Sequence, residues 1–66
     1  MQANEIWESI VKADELLKYA TEERSAQRRE KAKQLLKDAL LQAEAASNDA
    51  LAEQARTRLR DLDADA

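Results

Sequence analysis

Five cations crowd into ten residues of this chain: Arg24, Arg28, Arg29, Lys31 and Lys33. Guanidinium and ammonium groups gathered in this way can hold phosphates, carboxylates or an acidic protein surface through charge-assisted hydrogen bonds. Glu22, Glu23 and Glu30 stand among them, however, and residues 21–46 net only +1. On a helix, opposite charges three and four residues apart pair with one another. The first expectation is therefore a solvated face that compensates itself. Docking of an acidic ligand is the functional alternative. Nucleic acid is the weaker form of that alternative, because no aromatic platform accompanies the cations to stack on bases. The net charge of the whole chain is −3, whereas nucleic-acid modules are usually basic.

Other chemistry is scarce. Histidine and cysteine are both absent, which removes the commonest general base, the commonest metal ligand and the thiol nucleophile. Glycine is absent as well, so no glycine-rich loop can cradle a phosphate. Carboxylates remain, but a working acid–base pair needs a pocket that shifts a pKa. Short helices leave little room for one. Asp61, Asp63 and Asp65 alternate as at the start of a calcium loop of the helix–loop–helix type, yet that loop's glycine and distal glutamate are missing. The expectation is a chain with no enzymatic activity, no cofactor and no metal site, ending in a solvated acidic tail.

The elements that position these residues are helices. Hydrophobic residues make up 44% of the chain, and neither glycine nor proline interrupts it. Alanine, leucine, glutamate, lysine, arginine and glutamine dominate, and all favour helix. Ile6, Ile10, Ala13, Leu17 and Ala20 recur at helical spacing behind Asn4, a good N-cap, with Trp7 and Val11 on one flank. Ala32, Leu36, Ala39, Ala43 and Ala46 repeat the stripe, with Leu35 and Leu40 beside it. Ser47, Asn48 and Asp49 then interrupt. With Ser47 as cap, Ala46 and Leu51 would staple a third helix, whose face holds Leu51, Ala55, Leu59 and Leu62, with Ala52 at its edge. The spacing predicts helices over 4–20, 28–46 and 48–62 in a single small domain, with a frayed tail at 63–66.

From Thr21 to Lys31 the only apolar side chain is Ala26. Helical turns there would have nothing large to bury, which predicts a turn within 21–28 and a compact up-down-up three-helix bundle. The alternative is one unbroken helix over 4–46, about 65 Å long at 1.5 Å per residue, paired in a coiled-coil oligomer with a short third helix. Fourteen alanines among the apolar residues thin the core of so short a chain and make association a reasonable expectation. The start lacks a basic region followed by an apolar run, and no apolar stretch is long enough to span a bilayer. A soluble, cytoplasmic protein is the default expectation.

The segments ADELLKYA (13–20) and AKQLLKDA (32–39) share the pattern A-x-x-L-L-K-x-A. Pattern and layout resemble microtubule-interacting-and-transport domains and the helical lid of Hsp70-type chaperones. The resemblance is carried by alanines and leucines, and it implies an all-α fold without a function. Tetratricopeptide hairpins share the pattern too, but their tyrosine, glycine and proline positions are not matched.

Partner-binding candidates are the apolar residues that fall off these stripes. Leu41 and Ala45 lie almost opposite the second stripe, Leu16 and Tyr19 lie off the first, and Trp7 sits at its edge. The functional expectation is a non-catalytic helical module that binds another protein, a second copy of itself included. The alternative is an adaptor or regulator that presents the basic cluster to an acidic ligand.

Overall fold

A computed structural model describes residues 3–18 and 25–64 of the protein. Its helices are α1, Ala3–Lys18; α2, Ser25–Ala45; and α3, Asp49–Ala64. α2 packs extensively against both of the others, whereas α1 and α3 touch each other little. Successive helices run antiparallel. The carboxyl end of α1 (Leu16) and that of α3 (Leu62) both lie beside the amino-terminal turns of α2, at Arg28 and Arg29. The fold is the all-α three-helix bundle, within Cα extents of 37 × 21 × 13 Å. Side-by-side packing of α1 on α2 excludes the single helix over 4–46.

The core follows from the stripes. Ile6, Ile10 and Ala13 of α1 meet Ala32, Leu36, Ala39 and Ala43 of α2, and Ala52 and Ala55 of α3 complete the cluster. All are buried. Alanine at most of these points lets the helix axes approach closely. Leu17, Leu35, Leu40, Leu51, Leu59 and Leu62 close the edges of the cluster as partly buried side chains. Ala46 is the exception among the described stripe residues. It falls in the turn after α2 and is exposed.

The helix boundaries that lie within the described residues shift from the sequence reading; residues 19 and 20, at the expected end of the first helix, lie outside them. α1 begins at Ala3, so Asn4 lies inside the first turn instead of capping it, a shift within the margin to which a helix end can be defined. Of the turn expected at 21–28, residues 21–24 lie outside the described part, while 25–28 are helical. α2 therefore starts before residue 28. Its first turns lack hydrophobes but not cover: Ser25, Arg28 and Arg29 are each half-buried, and arginine stems take the place of apolar side chains against the neighbouring helices.

The α2–α3 turn is built differently from the expected serine cap. The Asn48 amide donates to Ala43 O at 2.8 Å and the Ser47 amide to Glu44 O at 3.0 Å, the paired bonds that close a helix when the residue after its cap is left-handed. Ser47 is that residue, at φ 55°. The cap of α3 is Asn48, whose Oδ1 accepts the Leu51 amide at 3.2 Å. The flanking pair is then Ser47 and Ala52, so the Ala46–Leu51 staple does not form.

At the other end, α3 continues through Ala64, so residues 63 and 64 of the expected frayed tail are helical, while 65 and 66 lie outside the described part. Two side chains from α2 hold its last turn. Arg29 Nη2 donates to the Leu62 carbonyl at 3.2 Å, one of the oxygens that a helix end leaves without an internal partner. Lys33 Nζ lies 3.7 Å from Asp63 Oδ1. Cations placed here offset the acids that the helix dipole disfavours.

Candidate interaction surfaces

Among the described residues no polar or charged side chain is buried, so the chemistry of this molecule is displayed on its outside. Its most organised point is the seam between α1 and α3. Arg58 of α3 reaches across, and its Nε donates to Asp14 Oδ1 at 2.9 Å and Oδ2 at 3.0 Å. Its Nη1 donates to the Gln54 carbonyl and to Gln54 Oε1, at 3.1 and 2.7 Å. The guanidinium carbon sits 5.7 Å from the ring centroid of Trp7, within cation–π range. Trp7 remains 43% exposed. Asp14 follows Trp7 by seven residues, two helical turns, which is why both can face the same arginine.

Sequence reasoning passed over Arg58. The row Trp7–Asp14 on α1 was legible, and Arg58 flanks the α3 stripe one residue before Leu59. Their meeting depends on the relative register of two helices whose bonded residues are separated by 44 positions, which no local pattern encodes.

The other apolar candidates do not form one surface. Leu41 is 66% exposed and Ala45 beside it is exposed, on the flank of α2 turned away from the core. Leu16 is half-buried and packs against the core cluster. The reason is that α2 covers this flank of α1, so a residue off the main stripe still has a neighbour. Leu16 borders a shallow depression with Arg28. Leu41 lies 13 residues further along α2, about 20 Å at the helical rise. Tyr19 is outside the described residues.

The basic cluster also divides. Arg29 and Lys33 turn toward α3 and are occupied there. Arg28 and Lys31 turn toward α1, where they border the depression at Leu16. Arg24 is outside the described residues. Arg29 and Leu62 line two open clefts at the end of the bundle. One, of about 370 Å³, lies between α1 and α3 with Asp14, Leu17, Arg58 and Asp61. The other, of about 340 Å³, lies between α2 and α3 with Ala26, Lys33 and Asp63. Both are rimmed by groups of both signs.

Asp61 and Asp63 are both helical, so their side chains diverge by about 200° instead of converging as in a calcium loop. Asp65 is outside the described residues. Among the described residues no three acidic side chains gather in a way that could hold a metal ion, and no described helix is long and apolar enough to cross a membrane. Comparison with protein-family models, with curated proteins and with solved structures finds no match.

Proposed function

We propose that this chain is a non-catalytic α-helical interaction module that binds another protein. One observation carries the reading: two large apolar side chains, Leu41 at 66% and Trp7 at 43%, remain exposed after the bundle has closed. Folding alone gives Leu41 no reason to be apolar, since its flank of α2 faces away from α1 and α3. Trp7 adds a second point of a different kind. Tryptophan and arginine are enriched where binding energy concentrates, and here Arg58 is already held in place by Asp14 and Gln54. A partner would meet an ordered contact and lose little side-chain freedom in making it.

The test compares wild type with Leu41→Glu and Trp7→Ala, each first checked by circular dichroism for retained helicity. Sedimentation velocity at matched concentrations reads self-association, and capture from native lysate followed by mass spectrometry reads foreign partners. Leu41→Glu keeps a good helix former but would place an unpaired carboxylate in any contact, which costs several kcal/mol. The expected outcome is a specific loss, either of the associated species or of the same captured protein, in at least one folded variant. Identical sedimentation and identical captured proteins for all three chains would sink the reading.

A further inference from the structure

Seven of the cations among the described residues separate into two sets. Arg58 holds Asp14, Lys33 holds Asp63, Arg56 holds Glu44 and Glu53, and Arg29 holds the Leu62 carbonyl. On the outer flank of the α1–α2 seam, away from α3, Lys12, Arg28 and Lys31 have no ion-pair partner among the described residues. They converge all the same. Two shallow depressions, of about 230 and 200 Å³, share Leu16 and Arg28 as their common wall. The first is completed by Gln27 and Lys31, the second by Lys12 and Glu15. Among the described residues, three cations and one carboxylate line these depressions around a half-buried leucine, a charge of +2 for that lining on a chain whose net charge is −3.

Arg28 makes the arrangement informative. It is half-buried, as Arg29 and Arg58 are, and those two each satisfy their guanidinium within the fold. Arg28 has given up part of its hydration without receiving an acceptor from any of the described residues. A planar donor fork of this kind suits a carboxylate, which it can grip with two hydrogen bonds. Leu16 beneath it supplies the apolar floor that a charged contact alone would lack.

We propose that this flank of the α1–α2 seam docks an acidic amphipathic segment of a partner protein, its carboxylates on Lys12, Arg28 and Lys31 and one apolar side chain over Leu16. The inference rests on the interaction-module reading and names the chemistry of one partner. A protein segment is favoured over nucleic acid because the site offers a leucine and no aromatic side chain for a base to stack on.

The experiment titrates uniformly ¹⁵N-labelled protein with a synthetic amphipathic peptide carrying leucines on one helical stripe and glutamates elsewhere. Three comparison probes are the same peptide with lysine for glutamate, the same peptide with alanine for leucine, and oligothymidine of equal charge. The expected result is chemical-shift change centred on Lys12, Leu16, Arg28 and Lys31, with binding weakened by about tenfold or more in a Lys12→Glu, Lys31→Glu double variant. Lys37→Glu, on the same helix but away from the site, should leave binding nearly unchanged, and the alanine peptide should bind more weakly. Absence of binding by the acidic peptide, shifts mapped elsewhere, or equal binding of the lysine peptide overturns the proposal. So does tighter binding of oligothymidine, which would reassign the site to phosphate, or equal binding of the alanine peptide, which would remove Leu16 from it. If the peptide fails while sedimentation or capture still depends on Leu41 or Trp7, only this inference falls. If that dependence is missing too, the interaction-module reading falls with it.

Discussion

α1 and α3 are attached to the same central helix by different means. α1 inserts Ile6 and Ile10, both fully buried, together with Ala13. Among its described side chains α3 buries only Ala52 and Ala55 to the same degree, and its leucines remain partly buried. α3 adds polar contacts instead: Arg56 to Glu44, Lys33 to Asp63 and Arg29 to the Leu62 carbonyl tie it to α2, and Arg58 to Asp14 ties it to α1. The first attachment is close-range and insensitive to salt. The second contains a share that solvent and ions can screen. A bundle made this way should loosen at α3 before it loosens at α1.

The largest test strikes both attachments at once. Leu36 is fully buried on α2, and truncating a buried leucine to alanine costs about 2–5 kcal/mol. Leu36→Ala should therefore lower the thermal midpoint steeply or unfold the chain at room temperature, read by circular dichroism. An unchanged melting curve would mean that the core lies elsewhere.

Arg58→Ala cuts the polar bridge from α3 to α1 and leaves the buried face of α1 on α2 intact. Arg58 and Asp14 are both partly exposed, so their ion pair alone is worth less than about 1 kcal/mol. Loss of stem packing and of the contact with Trp7 brings the total to about 1–2 kcal/mol. Hydrogen exchange should quicken in α3 more than in α1, and Trp7 emission should shift to longer wavelength. Equal quickening in both helices would show that the bundle opens as one unit and that the contrast has no energetic consequence.

Smaller effects sharpen the picture at the turn. Ser47 adopts a left-handed backbone at φ 55°, a conformation that costs a residue with a Cβ about 1–2 kcal/mol. Ser47→Gly should recover part of that and raise the midpoint, less the entropy that glycine adds to the unfolded chain. Asn48→Ala removes the cap of α3 and should lower stability by about 1 kcal/mol. If the two changes shift urea midpoints in the same direction, the turn is not as described.

The smallest effect belongs to Lys33→Ala. Its pair with Asp63 is solvent-exposed and should contribute at most about 0.5 kcal/mol. Its mark should be local, in the exchange of the last turn of α3, and should vanish at high salt. A large global loss would mean that this pair anchors α3 far more firmly than exposed geometry allows.

How much of this was legible depended on how local the cause was. The buried faces of α1 and α2 could be read because burial of a helix repeats at its own period, and Ile6, Ile10, Ala32, Leu36, Ala39 and Ala43 obey it. The start of α2 was placed too late because arginine stems at 28 and 29 do apolar work that a hydrophobicity pattern does not register. Leu16 looked like a surface candidate by angle, yet α2 lies along that flank. The sequence points to Ser47 as the cap of the third helix, with Asn48 inside it. Only the path of the chain shows that Asn48 caps α3 and Ser47 closes α2.

The sequence by itself determined that the chain is helical, where its apolar stripes run and that histidine and thiol chemistry are absent, because composition and helical periodicity act within a few residues. Tertiary structure alone decided the rest. It divided the basic cluster, committing Arg29 and Lys33 to α3 and leaving Arg28 and Lys31 beside Leu16. It also brought Arg58 onto Trp7 and Asp14. Those contacts depend on the axial register of antiparallel helices, and register is set by the sum of packing along whole interfaces instead of by any one stretch of residues.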